Sequence, residues 1–107
     1  MWHPFDNGTT LGKRGSESGE TICDEEHVAG ARITLEQDTT IAPFAITCGI
    51  YGWMLHTRFF ATENEAVAEY EKMKASLSEI IERFSDPNRD DRGAAEKAME
   101  TFVETYP

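Results

Sequence analysis

Five consecutive residues, Cys23-Asp24-Glu25-Glu26-His27, put a thiol, three carboxylates and an imidazole into one short stretch. Such groups ligate metals, and a carboxylate beside a histidine raises its basicity. Along a strand, however, successive side chains point to opposite faces, so Asp24 and Glu26 diverge from Glu25 and His27. A metal would need a distant ligand such as His3 or His56. The expectation is a structural or solvent-facing role, with no metal and no cofactor. Cys48 and His56 have the residue types of a thiol nucleophile and its base. Yet Cys48 shares an alternating face with Phe44, Ile46 and Ile50, where cysteine acts as a small hydrophobe. No catalytic residue is assigned.

A third constellation depends on placement. Only four bases precede Thr62, and two of them, Arg32 and Arg58, lie in strand-like stretches. If Ile33 and Leu55 face a helical layer, alternation sends Arg32, Arg58 and His56 to the opposite face, with Thr34 and Glu36. Met54 and Phe60 join them there, together with Thr47 and Tyr51. Arginine binds carboxylates and phosphates bidentately, and exposed Met and Phe mark contact surfaces. Arg32, Tyr51, Met54, His56, Arg58 and Phe60 are therefore the candidate ligand or interface residues. The plainer alternative is a solvated sheet face with an Arg–Glu36 cross-strand pair.

The elements that must position these residues follow from pattern. Residues 1–19 are rich in turn formers (Asn7, Gly8, Gly12, Gly15, Gly19) and predict a loose arm or a wide hairpin in which residues 9–11 pair with 21–23. Residues 20–61 are strand-like. Ala31, Ile33 and Leu35 alternate strictly with Arg32, Thr34 and Glu36, and residues 44–51 and 53–60 continue the pattern. Gly49-Ile50-Tyr51-Gly52 is either a hairpin turn or a bulge in one long strand; short strands favour the hairpin. A helix begins at Thr62, whose hydroxyl can cap the amide of Glu65. Its apolar stripe is Ala66, Tyr70, Met73, Leu77, Ile80 or Ile81, and Phe84, and Ser85-Asp86-Pro87 ends it. A second helix starts at Asp86-Pro87 or after Asp90-Asp91, with Ala95, Ala98, Met99, Phe102, Val103 and Tyr106 as its stripe.

Strands followed by helices give an α+β domain spanning residues 1–107: an antiparallel meander of three to four strands, with a two-helix cover (62–107) packed on one face. The 107 residues carry 20 acids against 10 Lys and Arg, a net charge of −10. Such a field repels phosphate backbones, so neither nucleic acid nor an anionic membrane is an expected partner. Two cysteines form no disulfide framework, and neither a signal peptide nor a membrane-length apolar run is present, so a cytoplasmic location is expected. No nucleotide-binding, hydrolase or EF-hand motif occurs. The leading expectation is a non-enzymatic acidic interaction domain that homodimerises through its open sheet face. A small anionic-ligand binder or enzyme using Arg32, His56 and Arg58 is the first alternative. An acidic inhibitor or immunity-type protein docking on a basic partner is the second.

Overall fold

The computed structural model describes residues 1–84 and 92–107. Five antiparallel strands form one sheet in chain order: β1 (Trp2–Pro4), β2 (Glu20–His27), β3 (Ala31–Gln37), β4 (Phe44–Ile50) and β5 (Met54–Phe60). Two helices follow, α1 (Glu63–Arg83) and α2 (Arg92–Thr105). The class is α+β, with five strands rather than three to four. The added strand is β1, which pairs Trp2 with His27 and Pro4 with Glu25. Its local sequence is turn-rich. It is held from a distance, by the Trp2 indole N–H donating to the Ser78 hydroxyl of α1 at 2.6 Å.

Strict alternation in β3 sets the sheet's two faces. Ala31, Ile33 and Leu35 point to the helices and are matched in register by Ile50, Cys48 and Ile46 of β4. From α1, Ala66, Tyr70, Met73, Leu77 and Ile81 descend onto them, spaced three or four residues apart as one helical face requires. The α1 N-terminus is capped as its sequence predicts, the Thr62 hydroxyl accepting the Glu65 amide at 3.3 Å. Ala95, Met99 and Phe102 of α2 complete the core. The expected helix stop at Ser85-Asp86-Pro87 and the starts at Asp86-Pro87 or Asp90-Asp91 lie outside the described residues.

The β4–β5 connection is a hairpin, as expected, but its turn is Tyr51–Trp53 rather than Gly49–Gly52. Ile50 still pairs with Met54, and the Trp53 amide closes on the Ile50 carbonyl at 2.9 Å. Gly52, at φ +80°, takes the left-handed position that a β-carbon disfavours. The bulge falls elsewhere, in β2 between Thr21 and Cys23.

Candidate functional site

The three-residue turn Tyr51-Gly52-Trp53 decides where the candidate residues go. It makes Ile50 and Met54 direct partners, so they share a face, and Cys48 with His56, Ile46 with Arg58 and Phe44 with Phe60 follow. Because Ile46, Cys48 and Ile50 face the helices, Met54, His56, Arg58 and Phe60 face them too. The expected placement of these four on the open face is corrected by one step of parity, and Leu55 points outward with 79% exposure.

Arg58 lies at the rim of the helical layer. Its Nη1 donates to the Glu69 carboxylate of α1 at 3.0 Å, and its Nε donates to the Pro107 carbonyl at 3.1 Å. Hydrogen bonds to Arg58 hold the Glu69 carboxyl below the ordinary carboxylate range. His56 donates from Nε2 to the Tyr106 carbonyl. Together they tie the chain beyond α2 to β5. Cys48 and His56 are cross-strand neighbours, but burial pushes the Cys48 thiol up to about 12, far from a thiolate at neutral pH.

Arg32 does face the open side. Its Nε and Nη2 grip both oxygens of Asp24, at 2.9 and 2.7 Å, while its guanidinium lies 3.5 Å from the centre of the Phe5 ring. Asp24 also accepts from the Thr34 and Thr10 hydroxyls. Tyr51 stands in the turn, its hydroxyl donating to Glu26 at 2.5 Å. The residues proposed as one constellation are therefore divided between two faces.

The Cys23–His27 cluster is divided in the same way. Asp24 and Glu26 take the open face, opposite Thr34 and Arg32, while Cys23, Glu25 and His27 take the helix face, opposite Leu35, Ile33 and Ala31. Glu25 receives the Tyr70 hydroxyl at 2.8 Å and Lys74 at 3.0 Å. His27 is 3% exposed, with Nδ1 accepting the Ala29 amide at 3.0 Å. Burial lowers its pKa. Among the described residues no group of three His, Cys, Asp or Glu side chains could hold a metal.

The chain between β1 and β2 lies across the open face over β2, β3 and part of β4. The Gly12 amide donates to the Thr21 carbonyl at 2.8 Å, and the Thr21 amide donates to the Lys13 carbonyl at 2.9 Å. Glu36, 0% exposed, accepts the backbone amides of Glu17 and Gly19, both at 3.1 Å. Gly15 passes directly over it: a β-carbon there would stand 2.4 Å from the Glu36 carboxyl carbon. A cleft of about 580 Å³ remains between this segment and the β4–β5 turn, with Arg14, Arg32, Thr47 and Tyr51 in its walls.

Two features escape the sequence reasoning. One is the half of the open face left bare along β5, where Leu55 and Phe59 are exposed. The other is the free edge of β5, which ends the sheet and faces α2 across a second groove. A signal for both was available: residues 39–62 contain no acid, in a chain that carries 20. No helix is long and apolar enough to cross a membrane among the described residues. Set against protein-family models, curated proteins and solved structures, the chain finds no significant match in any of the three.

Proposed function

We propose that this chain is a non-enzymatic interaction domain that pairs with a second copy of itself through the bare half of its open sheet face. The observation that carries this is the row Leu55, Thr57 and Phe59 on β5, with Leu55 79% and Phe59 39% exposed, inside the acid-free stretch 39–62. Two chains of net charge −10 repel, so a self-contact must form where neither brings an acid. This strip meets that condition. Sheets packed face to face sit about 10 Å apart and interdigitate such side chains. The remainder of the face already has its own cover, which confines the contact to β5 and its neighbour β4.

Light scattering on the purified chain, in the tens of micromolar, tests this. The expected mass is about twice 12.0 kDa, falling to one chain for the double variant Leu55→Glu and Phe59→Glu. Both positions are exposed in the single chain, so the variant keeps its fold. A wild-type chain that stays monomeric at these concentrations overturns the proposal.

A further inference from the structure

The free edge of β5 and the acidic flank of α2 form one groove. Arg92 lies 5.6 Å from the centre of the Trp53 ring, and the Tyr106 and Pro107 carbonyls meet His56 and Arg58. The helix therefore runs alongside β5 from its first residues towards its last. A groove of about 730 Å³ lies between them, walled by Trp53, Met54 and Leu55 on one side and by Arg92, Glu96, Met99, Glu100, Val103 and Glu104 on the other. The edge of β5 has no strand partner among the described residues, so its outer amides and carbonyls are available to one.

The helix wall carries an unusual charge pattern. Glu96, Glu100 and Glu104 repeat every four residues, which stacks like charges on one side of the helix at a cost to its stability. Glu96 has Arg92 at 3.4 Å, whereas Glu100 and Glu104 have no ion-pair partner among the described residues. The last turn of α2 holds no base either, so the negative end of the helix dipole adds to the same field. Four helical residues advance about 6 Å, and alternate residues of a strand advance about 6.7 Å. Three bases at every second position of an extended chain thus come into step with the three glutamates.

From this the geometry points to a docking site for an extended segment of another protein, added as a sixth strand along β5, with Lys or Arg at alternate positions. Its backbone pairs with the β5 edge. Its basic side chains lay their aliphatic stems over Trp53, Met99 and Val103 and end on Glu96, Glu100 and Glu104. A second copy of β5 is a poor occupant, because it would bring a second row of glutamates against the first. The site therefore differs from the self-association strip in its partner, while the two surfaces meet at Leu55.

The probe is a fluorescent, end-blocked peptide of alternating Lys and Thr, titrated with the full chain and followed by anisotropy. Binding is expected to weaken at least tenfold in the triple variant E96Q/E100Q/E104Q, whose positions are all exposed. A peptide of the same charge with alternate amides N-methylated, unable to pair as a strand, is expected to lose binding to the same extent. Bound peptide is also expected to slow hydrogen exchange within β5. The proposal is overturned if the unmodified peptide does not bind, if the triple variant binds it equally, or if the N-methylated peptide binds as well as the unmodified one. The last result would mean charge attraction without strand addition. The Leu55→Glu and Phe59→Glu readout of oligomeric state is unaffected by any of these outcomes.

Discussion

Both faces of the sheet are covered over β2, β3 and part of β4, but by opposite chemistry. On the helix side, Ile33, Leu35, Ile46, Met73 and Leu77 exclude water by apolar packing. On the other side the cover is a glycine-rich segment that supplies few side chains of its own. Its contacts with the sheet are backbone amides on Glu36, the Thr10 hydroxyl on Asp24 and the Phe5 ring against the Arg32 guanidinium. Apolar packing is non-directional and tolerates repacking. A buried carboxylate stays favourable only while each donor is in place. The helix side thus supplies most of the stability, and the polar side supplies a specific path for the segment.

Three measurements sharpen or break this contrast, in falling order of effect. Leu77→Ala, at the centre of the helix side, is expected to cost about 3 kcal/mol in urea unfolding and to lower protection throughout the molecule. Glu36→Ala is expected to cost about 2 kcal/mol, since it orphans the Glu17 and Gly19 amides. Its loss should be local: faster hydrogen exchange at Gly12, Gly15 and Thr21, with β4 and α1 keeping their protection. If Glu36→Ala opens the whole chain as Leu77→Ala does, the two faces form one cooperative unit and the contrast fails. The smallest effect is a pH dependence from His27. Burial disfavours its protonated form in the folded chain, so below the ordinary histidine pKa of about 6.5 the unfolded chain binds the extra proton more tightly. Stability should be full above that value and decline as pH falls through it. His27→Gln should flatten the slope, and a wild-type chain equally stable at pH 5 and pH 7.5 would contradict the assignment.

Elements whose pattern is self-sufficient were legible in the sequence. The α1 stripe from Ala66 to Ile81, the Thr62 cap and the β3 alternation each report a face through local spacing alone. Alternation does not say which of a strand's faces turns inward. That parity was inherited across a turn, and treating Leu55 as an inward residue carried His56 and Arg58 to the wrong side. Val103 shows a milder version: it fits the apolar stripe of α2 yet stands on the groove, exposed. Glu36 illustrates the deeper limit. A glutamate in an alternating strand predicts a solvent-facing position, and only the return of residues 15–19 over the sheet, fixed by long-range contacts, makes it the most buried acid among the described residues.

The meander order has a consequence for synthesis. Each strand from β2 to β5 pairs with the one made just before it, so the sheet can assemble in the sequence in which the ribosome delivers it. Its apolar side must then wait for the 21 residues of α1, a delay of about 1–4 s at ordinary elongation rates. During that interval Ile33, Leu35 and Ile46 are open to any other nascent chain or chaperone. The acids crowded into the stretch that follows, beginning with Glu63 and Glu65, lend the emerging chain the charge that keeps it apart from its neighbours until the helix folds down.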